Sequence, residues 1–303
     1  MPQRLSTRIP ATSANLGCLF DCGGLALDLY LTLRIQARDD ARVNFTYHGV
    51  TPERIPSDDS NLIVATIRRL LETWGSVRGY DLEIDNQIPV GAGLGSSAAA
   101  IVGALVCAHW LVGMPMDDEA VLALATRLEG HPDNVAAAWH GGFTIAVQEE
   151  DHVWAFSSPV PEGLKFVVIV PDYALPTSEA RSALPDQYSR ADAVHNLQRA
   201  AMVAAQFASG RVRFENAFFD DRFHQPYRTS LVPGLAEALS LRRTGLLGLA
   251  LSGAGPTLLA IVDEDTAGNS EAIREVLSRH GIDSRAYLLT ADNQGASGGM
   301  SFY

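Results

Sequence analysis

The chain has 303 residues, of which 47% are hydrophobic and 19% charged, with a formal net charge of −12 at pH 7. This composition predicts a folded protein with a substantial core, and the negative charge disfavours a nucleic acid or an anionic membrane as partner. No stretch approaches the roughly 20 apolar residues that span a bilayer, and the N-terminus lacks the apolar segment of a signal peptide. The three cysteines, an odd number, argue against a disulfide framework, so we expect a soluble, cytoplasmic protein.

The first half of the chain predicts strands, then helices around a glycine-rich segment. Alternating or β-branched apolar residues predict strands over residues 4–9, 26–37, 43–47, 80–85 and 143–147. Helical periodicity predicts three helices in this half. The first covers residues 61–74, with Ser60 as its cap, and the second runs from the glycine-rich segment to about residue 112. The third covers residues 117–129.

The second half begins after a proline- and glycine-containing stretch, residues 159–163, which is the best candidate for a domain boundary. We therefore divide the chain into domains 1–158 and 159–303. The predicted elements of the second half are strands over 166–170 and 285–289, a hairpin over 249–262, and helices over about 191–208, 234–243 and 271–280. Residues 295–300 are expected to be a loose tail. Antiparallel hairpins without regular βαβ alternation indicate an α+β fold.

The glycine-rich segment, residues 89–98, reads PVGAGLGSSA and precedes a predicted helix. Glycines let the backbone approach an anion closely, and a helix N-terminus supplies free N–H groups, so the segment can hold a phosphate. It is no Walker A loop, because Lys165 is the only lysine in the chain. Ser96 stands where a dinucleotide fingerprint needs glycine, and no hydrolase elbow is present. A tight strand-to-helix turn needs the same glycines, so the segment alone leaves that interpretation open.

Three motifs in order resemble those of the galactokinase, homoserine kinase, mevalonate kinase and phosphomevalonate kinase superfamily. They are RIPATSANLG at residues 8–17, PVGAGLGSSA at 89–98 and LSGAGPT at 251–257. Together they span almost the whole chain. The resemblance implies a kinase that uses ATP and Mg²⁺. It also implies an N-terminal half like the second domain of ribosomal protein S5 and a ferredoxin-like C-terminal half.

Further segments are similar to the homoserine kinase branch of this superfamily: EGHPDN at residues 129–134, DAVHN at 192–196 and HQPYR at 224–228. The resemblance implies phosphorylation of the homoserine hydroxyl, in threonine biosynthesis, by a homodimer. The residues leave two alternatives open. One is a kinase for another small hydroxy acid or amino acid such as threonine, and the other is a catalytically inactive metabolite sensor.

The resemblance also implies a role for each matching residue. Around adenine it places Asn61, Leu62 and Ile63. Around the phosphates it places Pro89, Gly91, Ala92, Gly93, Leu94, Gly95, Ser96, Ser97 and Ala98. Ser97 and Glu129 would hold Mg²⁺ and, with Asn134, form the catalytic set. Around homoserine it places Asn15, Asp21, His131, Asn134, Thr177, Arg181, Arg228 and Gly253.

The chemistry of these residue types agrees with an amino-acid substrate, because Asp21 suits an ammonium and the guanidinium groups of Arg181 and Arg228 suit a carboxylate. Asn134 stands where mevalonate-type relatives carry an Asp. An amide cannot accept a proton at neutral pH, so we expect it to orient the hydroxyl while positioning and charge neutralisation supply the acceleration.

The chain departs from the family at Cys18-Leu19, where Pro-Gly is usual. The bulkier Leu19 lies beside Asp21 in the sequence, so the sequence leaves the shape of the amino-acid pocket open. Taken singly, several site residues also have structural interpretations. Asp21 could brace a turn, His131 and Asn134 could belong to a helix end, and Arg181 could be a surface charge.

Overall fold

The computed structural model describes residues 4–173 and 175–302. Over these residues the strands are β1 (Arg4–Asn15), β2 (Leu19–Ala37), β3 (Val43–Gly49), β4 (Tyr80–Asn86), β5 (Phe143–Glu149), β6 (His152–Ser158), β7 (Lys165–Pro171), β8 (Leu246–Leu251), β9 (Leu258–Val262), β10 (Ser284–Leu289) and β11 (Met300–Phe302). The helices are α1 (Leu62–Thr73), α2 (Ser96–Val112), α3 (Asp118–Glu129), α4 (Asp133–His140), α5 (Thr177–Ser182), α6 (Arg190–Ser209), α7 (Gln225–Arg228), α8 (Leu235–Leu239), α9 (Thr266–Arg279) and α10 (Gly295–Gly298).

The strands of the described chain form two sheets. The first contains seven strands, with β11-β1-β2-β4-β3 in line and β5 joining β2 to β6. Within it β3 and β4 are parallel and the other pairs are antiparallel. The second is a four-stranded antiparallel sheet in the order β10-β7-β9-β8.

Helix α2 lies at the centre of the larger core. It is apolar on all sides and almost every residue in it is buried, which is the character of a helix enclosed by other elements. It packs on β1 and β2 and against α1, α3 and α4. Because it is held on every side, its first turn, which follows the glycine-rich segment, is fixed in place.

The hairpin of β1 and β2 is longer than the sequence predicts. We expected strands over residues 4–9 and 26–37, whereas β1 continues to Asn15 and β2 begins at Leu19. Register shifts at Pro10/Ala11 and Ala14/Asn15 bend the pair, and such irregularities hide the alternation on which the prediction depends. The hairpin tip carries Asn15 and Asp21, both with positive φ (71° and 54°).

Two local predictions are wrong. Asn61, not Ser60, caps α1, because its side-chain oxygen accepts hydrogen bonds from the N–H groups of Ile63 (3.1 Å) and Val64 (3.5 Å). The helix expected over 234–243 is confined to α8. The strand β6 and the short helix α5 were not predicted.

The expected loose tail is also wrong, since residues 295–302 form α10 and β11, and β11 pairs with β1. Asp292 anchors the segment because its Oδ1 accepts the N–H groups of Gln294 (2.9 Å) and Gly295 (2.7 Å). Its Oδ2 accepts the hydroxyl of Tyr30 (2.8 Å). Residues 300–302 thus lie in the first sheet, while the division at residues 158/159 stays a prediction.

Within residues 4–173 and 175–302, no helix is both long and apolar enough to cross a membrane.

Candidate active site

The glycine-rich segment forms a tight loop between β4 and α2. Gly91, Gly93 and Gly95 all have positive φ (69°, 84° and 64°). A Cβ on Gly95 would lie 1.8 Å from the Thr12 hydroxyl oxygen, so only glycine fits there. Gly95 is also the N-cap of α2, and no described side chain caps this helix. The first N–H groups of α2 are therefore available to an anion.

The three motifs meet at this loop. The Ser252 hydroxyl donates to the Gly93 carbonyl (2.6 Å) and lies 2.8 Å from the Ser13 hydroxyl. The Gly253 N–H donates to the Ala14 carbonyl (3.0 Å). Segments that are more than 150 residues apart in the chain thus hold the loop from both sides.

Two cavities lie on either side of the loop. The first, the apolar cavity, has a volume of about 380 Å³ and lies between the start of α1 and the loop. All three residues predicted to surround adenine line it, and so do apolar side chains such as Tyr47 and Ile84. The Asn61 side chain is buried and occupied, since its amide nitrogen also donates to the Pro56 carbonyl (3.2 Å). Asn61 therefore shapes this cavity while it caps α1.

The second, the polar cavity, has a volume of about 300 Å³ and is built from both halves of the chain. All eight residues predicted to surround the amino acid line it: Asn15, Asp21, His131, Asn134, Thr177, Arg181, Arg228 and Gly253. The two cavities share Gly91, Ser96 and Ser97. The loop is thus the edge across which a group could pass from one cavity to the other.

Opposite charges face each other at one end of the polar cavity. Arg181 makes a two-pronged ion pair with Asp21, at 3.1 Å from Nη2 to Oδ1 and 3.3 Å from Nη1 to Oδ2. Asn15 holds this end in place, because its Oδ1 accepts the N–H of Asp21 (2.9 Å) and its Nδ2 donates to the Gly253 carbonyl (2.9 Å). A zwitterion carries the same two charges as this pair.

Arg228 supplies a buried cation to the same cavity. The residue is 2% exposed. Its guanidinium donates to the carbonyls of Ala180 (3.2 Å) and Gly253 (3.1 Å), and its Nη1 lies 3.0 Å from His224 Nδ1. Burial, together with the charge of Arg181, lowers its pKa to about 10. No carboxylate of the described residues forms an ion pair with it, and Nη2 has no hydrogen-bond acceptor among them.

Asn134 lies at the start of α4 with its side-chain orientation fixed. Its Oδ1 accepts the hydroxyl of Thr12 (2.8 Å), and its Nδ2 lies 3.3 Å from Asp133 Oδ1. Asp133 is itself buried, and the same oxygen accepts the backbone N–H of Asn134 (2.7 Å). With Oδ1 occupied by Thr12, Asn134 presents an N–H donor to the cavity and cannot serve as a proton acceptor there.

His131 forms an ion pair with the same carboxylate, with Nδ1 2.8 Å from Asp133 Oδ1. Burial alone would lower the pKa of His131. The hydrogen bond to Asp133 and the charges of Asp133 and Glu129 outweigh it, so the pKa is raised. His131 in the polar cavity therefore keeps its proton to a higher pH than a free imidazole does.

Ser97 and Glu129 meet at the edge that the cavities share. The Ser97 hydroxyl donates to Glu129 Oε2 (2.5 Å). Burial raises the pKa of the Glu129 carboxyl, and the hydrogen bond from Ser97 partly opposes it. A cation here would offset the cost of burying this carboxylate.

The residues fit a magnesium ion that is completed by its substrate. Among the described residues no group of three or more His, Cys, Asp or Glu side chains could hold a metal. Mg²⁺ bound with nucleotides commonly takes one or two protein oxygens, and phosphate oxygens and water complete its octahedron. Ser97 and Glu129 supply that number of oxygens beside the loop.

Four residues predicted to bind phosphate do not line either cavity. They are Pro89, Ala92, Leu94 and Ala98, all of them buried. Leu94 and Ala98 belong to the hydrophobic core, so their side chains support the loop from behind.

Leu19 lies behind the hairpin tip. Its side chain is 2% exposed, packs in the core and does not line the polar cavity. The departure at Cys18-Leu19 thus changes the packing behind the hairpin tip, where the Cys18 thiol donates to the Phe218 carbonyl (3.2 Å).

Sequence reasoning also missed residues. Thr12 was not singled out although it lies in the first motif, and Asp133 was noted without a role. No alternation marked Thr12, because every residue from Ile9 to Asn15 of β1 is buried.

Comparisons with known proteins agree with this geometry. The model of the GHMP kinases N terminal domain matches residues 61–142, and that of the GHMP kinases C terminal region matches residues 207–283. The chain belongs to the GHMP kinase family. Its two sheets therefore have the GHMP kinase fold, and the loop of residues 89–98 lies within the matched N terminal domain.

Curated relatives of this GHMP kinase include the homoserine kinase of Desulfitobacterium hafniense, 43% identical over 96% of this chain and 98% of the relative. The homoserine kinase of Deinococcus radiodurans is 40% identical over 96% of this chain and 95% of the relative.

Solved structures of similar shape include a homoserine kinase from Cytophaga hutchinsonii. It is 29% identical, with a TM-score of 0.83, and the match covers 100% of this chain and 98% of that one. A mevalonate kinase from L. major is 13% identical with a TM-score of 0.63 over 96% of this chain and 97% of that one, which is a likeness of fold alone.

Proposed function

We propose that this GHMP kinase transfers the γ-phosphoryl group of ATP to the hydroxyl of L-homoserine and forms O-phospho-L-homoserine, a step of threonine biosynthesis. ATP would place its base in the apolar cavity and its phosphates at the loop. Homoserine would occupy the polar cavity. The relatives named above, which match over nearly their full length, support this choice of acceptor.

The buried guanidinium of Arg228 is the observation that carries the proposal. A cation enclosed in protein without an anionic partner is costly, and a carboxylate in the cavity would compensate it. Asp21 and Arg181 line the same cavity. The Gly253 carbonyl that accepts a hydrogen bond from Arg228 also accepts one from Asn15, which holds Asp21. Asp21 can bind an ammonium, and Arg181 can share the carboxylate with Arg228. A small amino acid therefore supplies a carboxylate for the arginines and an ammonium for Asp21.

The chemistry follows from how the hydroxyl is held. Asn134 donates an N–H to the hydroxyl oxygen and orients it toward the loop, while the helix N-terminus and His131 offset negative charge. In a loose transition state the hydroxyl needs little deprotonation before attack. When bound at Ser97 and Glu129, Mg²⁺ neutralises charge on the phosphate oxygens. The new O–P bond forms as the bond from the γ-phosphorus to the bridging oxygen breaks, and the hydroxyl proton leaves with the product phosphate or water.

A coupled assay of ADP release tests the proposal. We expect kcat/KM for L-homoserine to exceed that for L-threonine and for mevalonate, because mevalonate lacks the ammonium that Asp21 would bind. A higher kcat/KM for another hydroxylated acid would refute homoserine as the acceptor but would leave the kinase activity in place. If the protein binds ATP but releases ADP with none of these acceptors, the result would favour the catalytically inactive sensor.

The homodimer expected from the resemblance and the cytoplasmic location expected from the composition stay predictions of the sequence.

A further inference from the structure

The nucleotide side of the site needs a positive charge. The one cation in the three motifs, Arg8, lies over the Tyr30 ring and lines neither cavity. ATP brings three to four negative charges, and phosphate loops of the Walker type carry a lysine that offsets part of them. Lys165 is the only lysine in this chain, at the start of β7, and it lines neither cavity. His131, Arg181 and Arg228 all line the polar cavity.

Arg54 is the one charged residue that lines the apolar cavity of the described chain. Its Nη1 donates to the carbonyl of Val90 (3.0 Å), at the first turn of the loop. A Cβ built on Gly91 would lie 3.7 Å from the same nitrogen. The guanidinium is thus beside the first glycine of the loop, one of the three residues that the two cavities share.

The segment that carries Arg54 is anchored against the first sheet. The Val50 N–H donates to the Asn86 carbonyl (2.9 Å), and the Tyr47 hydroxyl donates to the Val50 carbonyl (2.7 Å). The Arg54 N–H donates to the Thr51 carbonyl (3.0 Å) and closes a short 3₁₀ turn. Arg54 is therefore held at the loop by its own backbone as well as by its side chain.

We infer that Arg54 pairs with the phosphates of the bound nucleotide and so takes the part that a lysine plays in Walker-type loops. The Val90 carbonyl occupies one N–H of the planar guanidinium, and the remaining ones can make the two parallel bonds that suit a phosphate. The inference rests on the proposed function only in that the loop binds ATP. It is independent of which acceptor fills the polar cavity.

ADP binding measured by isothermal titration calorimetry, with no acceptor present, tests the inference. For Arg54→Gln we expect about a tenfold weaker affinity for ADP, at the low end for charge-assisted hydrogen bonds because the group is exposed. Adenosine should bind the variant with the same affinity as it binds the wild type. Its affinity is measured by competition with ADP. Arg54→Lys should recover part of the loss, since it keeps the charge but not the planar fork.

The matched control is Arg42→Gln, which removes a guanidinium that is 80% exposed and lines neither cavity. It should bind ADP like the wild type, and the melting temperatures of all variants should agree. An equal loss of affinity for adenosine and ADP would overturn the inference and indicate that Arg54 contacts the base. Unchanged ADP affinity in Arg54→Gln would overturn it as well. A wild type that fails to bind ADP would instead refute the proposed function.

Discussion

The apolar and polar cavities share one loop but are built in different ways. The apolar cavity comes from a single stretch of the chain, residues 31–100, with β-strand and α1 side chains around it. The polar cavity is lined by residues from both halves of the chain, from Ala14 to Ala254. The first encloses a space for an apolar ring system, whereas the second is lined with charged and amide side chains that bond to one another.

This difference indicates how the two substrates are selected. In the apolar cavity a flat base would be held by enclosure, with few polar groups to fix its identity. In the polar cavity Arg181 and His131 are paired with carboxylates, whereas Arg228 is buried without one among the described residues, so a ligand that lacks one charged group leaves a charge there uncompensated. We therefore expect acceptor selection to be strict, and its loss on mutation to be large.

The largest effect is expected at the edge that the cavities share. Glu129→Gln removes the carboxylate that lies against Ser97, and kcat should fall by about 100-fold or more because phosphate charge is no longer offset through a bound cation. The KM values for both substrates should change less. Steady-state kinetics over a range of Mg²⁺ concentrations measure both.

The control for this variant is Glu119→Gln, an exposed position in the first turn of the same helix. It should retain wild-type kcat. Near-native turnover of Glu129→Gln at saturating Mg²⁺ would contradict the assignment of this carboxylate and leave the shared edge without a cation site.

An intermediate effect is expected in the polar cavity alone. Arg181→Ala and Arg228→Lys should each raise the KM for homoserine, by about 10- to 150-fold for a lost charge-assisted hydrogen bond. The KM for ATP should stay close to the wild-type value. Lysine is used at position 228 because alanine would leave two carbonyls and a buried histidine without their donor.

Arg222→Ala is the control, since that guanidinium pairs with Asp192 outside both cavities. If Arg181→Ala or Arg228→Lys raises the KM for ATP as much as that for homoserine, the arginine serves the phosphates. The two cavities would then not be separate binding sites.

The glycine-rich loop and the polar cavity differ in how much of their structure could be predicted from the sequence. The glycine-rich loop could be located from the sequence because its requirements are local: glycines, two serines and a helix start. The eight residues around the polar cavity could be named only through the resemblance, since contacts such as Asn15 to Gly253 join residues 238 apart. Their roles stay predictions even though the structure brings them together.

The misses have the same origin. Arg54 lies in a polar stretch that reads as an ordinary loop, and its place beside Gly91 depends on how that loop folds over the sheet. The tail was expected to be loose because its sequence is rich in glycine and serine, whereas Asp292 and the edge of β1 order it. Local composition cannot reveal an anchor that lies elsewhere in the chain.

The smallest effect is expected at Thr12, and it tests whether the orientation of Asn134 matters. Thr12→Val keeps the shape of the side chain but removes the hydroxyl that donates to Asn134 Oδ1, so the amide loses the bond that fixes which end faces the cavity. We expect kcat to fall by about 3- to 10-fold, the size of one neutral hydrogen bond. Thr12→Ser keeps the hydroxyl and should therefore have the wild-type kcat. A stopped assay at saturating substrates measures kcat for both variants.

Thr7→Val is a matched control, because Thr7 is buried on the same strand and its hydroxyl has no described hydrogen-bond partner. It should leave kcat unchanged. The decisive measurement is a double-mutant cycle with Asn134→Ala. If Thr12 acts only as a positioning residue for Asn134, adding Thr12→Val to Asn134→Ala should cost nothing further. Additive losses would show that Thr12 acts elsewhere, and a higher KM for ATP would point to Gly95, which packs directly on the Thr12 hydroxyl.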